Sequence, residues 1–233
     1  MPDRLIEGAV FYVVFVFAVT LHEAAHAWAA KLGGDLTAYY GGQVSLDPIP
    51  HIRREPFGMV ILPILSVFLI GWPFGFASAP YDPNWARRHP RRAAWMALAG
   101  PGGNLLLVLL AAAIIRAGMA ATVLSAPPAV SFSRVTMGAT AGLADAAAFV
   151  LSVFFSLNLV LLVLNLIPVP PLDGYGALRL VLPRAASEAY EGFSRQPMIG
   201  WIGILVAWRL FDYLYHPVFL FAVNLLYPEA SYG

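Results

Sequence analysis

The chain has 233 residues, of which 60% are hydrophobic and only 12% are charged, and its formal net charge at pH 7 is +1. Because about 25% charged residues is usual in soluble domains, this composition excludes an ordinary soluble protein and indicates an integral membrane protein. The basic residues form short clusters between apolar runs, so no nucleic-acid partner is expected. Cysteine is absent, which excludes disulfides and thiolate metal ligands.

The first long apolar stretch, Leu5 to Leu32, contains the pattern H-E-x-x-H at His22, Glu23 and His26. Residues four apart lie on one face of a helix, so the two imidazoles can bind one metal ion while Glu23 reaches a water molecule beside it. Polar residues without a metal are the alternative. However, each charge facing lipid near the bilayer centre would cost about 2.5 kcal/mol or more. The motif therefore indicates a zinc hydrolase.

Four segments are long enough to cross a hydrocarbon core, which needs about 20 residues: 5–32, 93–117, 143–167 and 199–226. A shorter apolar run, 57–70, is followed by helix-breaking glycine and proline, a length and ending typical of a re-entrant segment. Between the first span and this run, Tyr39 to Leu46 alternates weakly around glycines. It predicts one or two short strands.

Basic residues orient these segments, because positively charged loops face the cytoplasm. Three clusters follow the first span, the short run and the third span, whereas the loop 118–142 holds only Arg134. The clusters are Lys31, Arg53 and Arg54; Arg87, Arg88, Arg91 and Arg92; and Arg179, Arg184 and Arg195. The first two clusters share a side only if residues 57–76 enter the membrane and return.

We therefore predict an all-α polytopic membrane protein with four transmembrane helices, a re-entrant segment and a short membrane-associated β element. No polar stretch is long enough for a separate soluble domain, so residues 1–233 form one membrane-embedded domain. Its core covers about 5–185 and its C-terminal helix about 198–227. In that helix Arg209 and Asp212 are three residues apart and able to pair, which favours a packing role over a catalytic one.

A catalytic zinc held by two histidines and a water lacks one protein ligand. Asp173 is the best candidate, because it follows three prolines that cannot continue the helix beginning near 143 and therefore unwind its end. An Asp-Gly pair is also an ordinary turn signal, so a surface turn remains the alternative. His51 and His89 lie in arginine-rich loops, where solvated side chains are expected. Weaker candidates still, at a far helix end or in a polar connector, are Asp145, Glu188 and Glu191.

With these motifs the chain resembles the site-2 proteases, a family of intramembrane zinc metalloproteases. The family's H-E-x-x-H corresponds to residues 22–26. Its N-x-x-P-x-P-x-x-D-G signature is matched by Asn165, Pro168, Pro170, Asp173 and Gly174, and its G-P-x-x-N element by Gly100, Pro101 and Asn104. The resemblance covers roughly residues 20–182 and looks like the compact members of the family.

The resemblance implies one zinc ion held by His22, His26 and Asp173, with Glu23 as the general base and Asn165 near the scissile carbonyl. It implies hydrolysis of peptide bonds in or near transmembrane segments of membrane proteins. The expected location is the plasma membrane of a prokaryote, with the active site toward the cytoplasmic side.

Substrate contacts are assigned to four further residues. Asn104 is expected to shape the site, with a helix-packing amide as the alternative. Gly42, Gln43 and Val44 in the predicted strand would bind an unwound substrate by edge pairing, although a glycine-rich connector folded against the helices fits the sequence as well. The expected partners are a membrane-protein substrate, the lipid bilayer and a regulatory protein.

A different class of function also fits two buried histidines in a membrane protein. The chain could be a metal transporter or sensor, or an inactive protease-like scaffold that binds membrane helices. Glu23 argues against these alternatives, because a transporter has no use for a carboxylate beside a fixed water, and an inactive scaffold would more plausibly have lost Glu23 or a ligand. No appended domain fits the chain, so substrate selection is expected to rest with the membrane domain or with another protein.

Overall fold

The computed structural model describes residues 2–183, 186–187, 192 and 196–233. Arg184, Glu188, Glu191 and Arg195, named above, lie outside the described residues. The helices are α1 (Pro2–Leu32), α2 (Thr37–Tyr40), α3 (Pro48–Arg54), α4 (Leu62–Ile70), α5 (Pro83–Arg88), α6 (Pro90–Ala120), α7 (Leu143–Leu166), α8 (Asp173–Ala177) and α9 (Pro197–Leu226). A π-helical turn, Phe57–Ile61, leads into α4, and a 3₁₀ turn, Leu178–Leu180, follows α8. The strands β1 (Leu124–Ser125) and β2 (Met137–Gly138) pair antiparallel.

Four helices are long and apolar enough to cross a membrane: Leu5–Leu32, Pro90–Ala120, Leu143–Leu166 and Met198–Leu226. They confirm the predicted all-α polytopic fold. The second span begins three residues before the predicted start at 93, because Pro90 suits the first position of a helix, where its missing N–H costs nothing.

Helix α6 packs against both α1 and α7. Small residues permit the close approach: a Cβ on Gly103 of α6 would lie 2.7 Å from the Leu21 side chain of α1. A buried apolar cluster that includes Val108, Phe155 and Val223 joins α6, α7 and the second half of α9. These three helices and α1 form the framework in which His22, Glu23 and His26 lie.

Residues 57–76 fold back on themselves. Helix α4 ends at Gly71, whose φ of +73° is a left-handed conformation that favours glycine. On the return, the Phe74 N–H donates to Ser66 Oγ (2.7 Å) and the Phe76 N–H donates to the Gly58 carbonyl (3.1 Å). A Cβ on Gly58 would lie 2.2 Å from the Phe76 carbonyl oxygen, so only glycine fits there. The chain thus comes back to the level at which it began, which confirms the predicted re-entrant segment.

The strand predicted at residues 39–46 is wrong. Thr37–Tyr40 forms α2, and Gly42 then adopts a φ of +73° that turns the chain. The Gln43 N–H donates to the Ala38 carbonyl (3.0 Å), which closes the turn against α2. The glycines therefore supply a tight turn rather than a strand. In the part of the chain that the structure describes, the paired strands lie instead between α6 and α7.

The first half of α9 is mostly exposed, and its contacts with the rest of the molecule are narrow. Gly203 lies against the backbone of Pro170, and the ring centroids of Trp208 and Phe74 are 6.4 Å apart. Within the described residues no ion pair joins Arg209 to Asp212, and both side chains are exposed. The helix therefore borders the return segment and the loop before α8 without being buried by them.

Candidate metal centre

The imidazoles of His22 and His26 and the carboxylate of Asp173 converge on one point. The two Nε2 atoms are 3.0 Å apart, and Asp173 Oδ2 lies 3.0 Å from His22 Nε2 and 3.2 Å from His26 Nε2. In a tetrahedral zinc site with bonds of about 2.0–2.1 Å, ligand atoms are separated by about 3.3–3.4 Å. The three atoms are thus spaced within a few tenths of an ångström of what one zinc ion requires.

Asp173 reaches this point because the chain leaves the helical conformation at the end of α7. Ile167 has a ψ of 126°, and the prolines that follow keep the helix from continuing until α8 begins at Asp173 itself. A Cβ on Gly174 would lie 2.3 Å from the Leu166 carbonyl oxygen, so glycine lets α8 pack against the end of α7. The structure thus brings the predicted third ligand to the predicted pair.

The outer nitrogens of the two imidazoles have different partners. His26 Nδ1 lies 2.7 Å from the Met96 carbonyl oxygen, and His22 Nδ1 lies 2.6 Å from Asn104 Oδ1. Both partners are acceptors, so each Nδ1 carries the hydrogen and each Nε2 presents a lone pair. Three electron-rich atoms therefore face one another in a buried place, and only a cation makes that arrangement favourable. The donor set fits a metal ion.

Protons on the two Nε2 atoms are a second way to make the arrangement favourable, and each imidazole is then positively charged. Burial opposes ionisation of Asp173, but in that state the positive charge of His26 and the hydrogen bonds donated by His22 and His26 outweigh it. They hold the pKa of the Asp173 carboxyl below its ordinary value. The carboxylate is therefore present as an anion, which is the form that binds metal.

Gly100 of α6 lies directly over the imidazoles. A Cβ on this residue would lie 2.3 Å from His26 Nε2 and 2.5 Å from His22 Nε2, inside the space that the centre needs. By contrast, a Cβ on Gly102 would meet nothing within 4 Å. Within the G-P-x-x-N element of α6, Gly100 thus leaves room for the two imidazoles, and Asn104 supplies the acceptor for His22 Nδ1.

Glu23 is buried beside the ligands, with 6% of its surface exposed. One of its carboxylate oxygens belongs to a group with the two imidazoles in which all ligand atoms lie within 4.8 Å of one another. Glu23, His26 and Asp173 line a cavity of about 420 Å³ whose other walls are the non-helical residues 77–81, the start of α6 and the residues around α8. The cavity is large enough to admit water beside the ligand atoms.

The other predicted site residues lie elsewhere. Asn165 donates from Nδ2 to the Leu161 carbonyl of its own helix (3.0 Å), and it does not line the cavity. Gly42, Gln43 and Val44 do not line it either, and Gln43 is only 2% exposed. Asn104 is fully buried and binds His22.

His51, which the sequence suggested to be solvated, is 1% exposed, because α3 packs against α1. Its Nε2 donates to the Ser45 carbonyl (3.0 Å) and so helps to close the loop before α3. His89 is partly buried and follows α5. Neither histidine lines the cavity that contains Glu23.

Three features of the site escaped the sequence analysis. The Met96 carbonyl is a backbone group, which no side-chain pattern can reveal. Asn158 of α7, which binds Asn104, was detectable as an amide within a run of apolar residues. The cavity wall at 77–81 follows the re-entrant segment, and its proline and small residues indicated only a loop.

Comparison with known proteins agrees with this geometry. A profile of Peptidase family M50 matches residues 10–204. The chain belongs to Peptidase family M50. This M50 chain is 28% identical over 178 residues to YwhC of Bacillus subtilis, an alignment that covers 73% of the chain and 68% of YwhC. Membership of Peptidase family M50 supports the interpretation of this chain as a protease.

Two further M50 relatives are called Rip2. The Mycolicibacterium smegmatis protein is 30% identical over 192 residues, covering 82% of this chain and 63% of that protein. The Mycobacterium tuberculosis protein is 32% identical over 212 residues, covering 85% of this chain and 71% of that protein. YwhC and both Rip2 proteins have "zinc metalloprotease" in their names. No solved structure matches this M50 chain.

Proposed function

We propose that this M50 chain is an intramembrane zinc endopeptidase that hydrolyses peptide bonds in or near transmembrane segments of membrane proteins. The observation that carries the proposal is the convergence of two Nε2 lone pairs and the Asp173 carboxylate beside Glu23, with both histidines and Glu23 on a helix long enough to cross a membrane. One zinc ion held there would supply Lewis-acid chemistry, polarising a carbonyl and acidifying a water molecule.

Glu23 is the group that moves protons. Asp173 contacts both imidazoles, whereas the Glu23 carboxylate lies beside them and opens onto the cavity. As general base it takes a proton from the attacking water, and it then passes that proton to the leaving amine. A metal transporter or an inactive scaffold would leave this buried carboxylate without a purpose.

The substrate segment has to be extended before it is cut, because a helix hides its carbonyls in internal hydrogen bonds. The non-helical cavity wall at residues 77–81 offers a place to pair with it. Among the described residues, the backbone groups of Ala77 and Ala79 have no hydrogen-bond partner, while the Ser78 carbonyl accepts from Arg54 (3.1 Å). We assign edge pairing with the substrate to this stretch rather than to residues 42–44.

The test uses purified protein in detergent and a panel of single-span membrane proteins. We expect cleavage of some panel members, loss of cleavage with a zinc chelator and recovery when zinc is restored. A Glu23→Gln protein is the matched control, since it retains the ligands and the shape of the site but lacks the base. Cleavage by the control at the parent's rate, or cleavage insensitive to chelation, would contradict the proposal.

The proposed orientation places the active site toward the cytoplasm of a prokaryotic cell. Arg53 and Arg88 lie at the ends of α3 and α5, on either side of the re-entrant segment, and both are exposed. Because the chain has no cysteine, single cysteines can be labelled without background. Arg53→Cys and Arg88→Cys should react with an impermeant thiol reagent from the cytoplasmic side, and Ala121→Cys, after α6, from the other side. Opposite labelling of positions 53 and 88 would contradict the orientation.

A further inference from the structure

We propose that Asn158 of α7 is a positioning residue for the metal centre: it fixes the direction of a hydrogen-bond chain that reaches His22 through Asn104. The inference rests on the proposed metal site at His22, His26 and Asp173. Among the described residues Asn158 does not line the cavity and forms no hydrogen bond with any of the three ligands, so its polar link to the centre runs through Asn104.

Three hydrogen bonds make up the chain. Asn158 Nδ2 donates to the Phe154 carbonyl (2.8 Å), Asn104 Nδ2 donates to Asn158 Oδ1 (2.9 Å), and His22 Nδ1 donates to Asn104 Oδ1 (2.6 Å). Asn104 and Asn158 are both 0% exposed, so bulk water does not compete for these hydrogen bonds. This series of hydrogen bonds runs from α7 through α6 to α1 and ends at the metal centre.

The direction of the chain is set at its far end. The Phe154 carbonyl can only accept, so the donor end of the Asn158 amide points toward it and the acceptor end points toward Asn104. The Asn104 amide must then present its NH₂ to Asn158, which leaves its oxygen for His22. His22 consequently carries its hydrogen on Nδ1, and its Nε2 lone pair faces the metal.

A reversed Asn104 amide would prevent His22 from binding the metal ion. Its NH₂ would face His22 Nδ1, which favours the tautomer with the hydrogen on Nε2, and an Nε2 that carries hydrogen cannot bind a metal ion. Asn158 is the only described side chain that binds the Asn104 amide opposite His22. Without Asn158 nothing distinguishes the two orientations of that amide except His22 itself.

Zinc affinity, measured by chelator competition on the detergent-purified protein, tests the proposal without a substrate. Asn158→Ala should bind zinc at least about twofold more weakly than the parent, because about half of the molecules or fewer would then hold the Asn104 amide in the orientation that lets His22 bind metal. Ser152→Ala is the matched control: Ser152 is a fully buried polar residue of α7, and it binds the backbone of Val135 and Thr136 away from the centre. The control should leave the affinity unchanged.

A rescue separates positioning from a general loss of packing. A carboxylate at position 104 accepts through both oxygens, so Asn104→Asp added to Asn158→Ala should restore zinc affinity toward the parent's value. In the parent background Asn104→Asp should instead weaken binding, because one carboxylate oxygen would face Asn158 Oδ1. If Asn158→Ala does not fold, Asn158→Leu, which fills the same space, takes its place with the same expectations.

Equal zinc affinities of Asn158→Ala and Ser152→Ala would overturn the inference, as would a double variant no tighter than Asn158→Ala. Either result would leave the proposed function standing, because the parent would still bind zinc. A parent that binds no zinc would overturn the proposed function and this inference together.

Discussion

His22 and His26 are the same residue type on the same face of α1, yet they are held by different kinds of partner. A backbone carbonyl, that of Met96, orients His26. Two side-chain amides from two other helices, Asn104 and Asn158, orient His22. The orientation of His26 therefore depends on where α6 lies, whereas that of His22 depends on which side chains α6 and α7 carry.

The position of α6 is in turn secured at the end of α1. The Gly33 carbonyl accepts hydrogen bonds from Trp85 Nε1 (3.0 Å) and from Arg92 Nη1 (3.1 Å), at the start of the segment that carries Met96. The Asp35 carboxylate accepts from the Asp82 N–H (2.7 Å) in the same region. The support of His26 is thus a set of contacts between chain segments, and no single substitution removes its final acceptor.

The largest effect on zinc binding and hydrolysis is expected from removing either histidine, and in this respect the two residues should not differ. His22→Ala and His26→Ala each remove a ligand, so both proteins should lose bound zinc and peptide hydrolysis. Glu23→Gln should keep near-stoichiometric zinc while hydrolysis falls by about 10²–10⁴-fold, the usual contribution of a general base. Metal analysis beside a cleavage assay separates the roles. A His26→Ala protein that retained zinc would remove His26 from the ligand set.

Gly100→Ala should affect both imidazoles at once, because the added Cβ would approach both Nε2 atoms. We expect zinc affinity to fall at least about tenfold, comparable with the loss of an outer hydrogen bond. Gly102→Ala, two residues along α6 and facing open space, is the control and should bind zinc like the parent. Equal affinities of the two variants would mean that α6 does not lie over the centre.

Asn104→Leu and Met96→Leu test the difference between the histidines directly. Asn104→Leu removes the acceptor of His22 Nδ1 and should weaken zinc binding about 10- to 100-fold. Met96→Leu changes a buried side chain of similar volume but leaves the carbonyl that binds His26, so affinity should stay near the parent's. Chelator competition gives both values. A larger loss for Met96→Leu would reverse the comparison.

Asp35→Asn should have the smallest effect, on stability alone. Burial opposes ionisation of Asp35, but hydrogen bonds from Thr37 and Asp82 hold the pKa of its carboxyl below the ordinary value. Its stabilisation is therefore present above the unfolded pKa of about 3.9 and is lost as the pH falls through the lower folded pKa. Near neutral pH the variant's Tm should lie no more than a few degrees below the parent's. The difference should shrink on acidification, and a constant difference would exclude the ionised carboxylate as its cause.

The ligand set could be predicted from the sequence because it depends on short-range rules. A spacing of four places His22 and His26 on one helical face, and the prolines before Asp173 end α7 where a ligand is needed. The spans and the re-entrant segment followed from apolar length and from arginine placement. These features are properties of single segments.

Features that depend on the packing of separate segments could not be predicted. The strand expected at 39–46 is a turn, because Gly42 uses its freedom for a left-handed conformation that an alternating pattern does not reveal. The role of Asn104 became clear only when α1 and α6 were seen side by side. Asn165 bonds within its own helix, and the carbonyl that it was expected to face belongs to a substrate.

The hydrogen bond between Phe76 and Gly58 has a consequence for biogenesis. It closes a re-entrant segment, which leaves the membrane on the side from which it entered. Every later element therefore lies on the same side of the membrane as it would without that segment. A chain in which residues 57–76 crossed completely would carry Asp173 to the opposite face from His22 and His26, across a core about 30 Å thick. Such a chain has no zinc site. If zinc occupies the proposed site, its presence would be a chemical signature of correct insertion, and metal content measured on newly made protein would count the molecules whose topology is right.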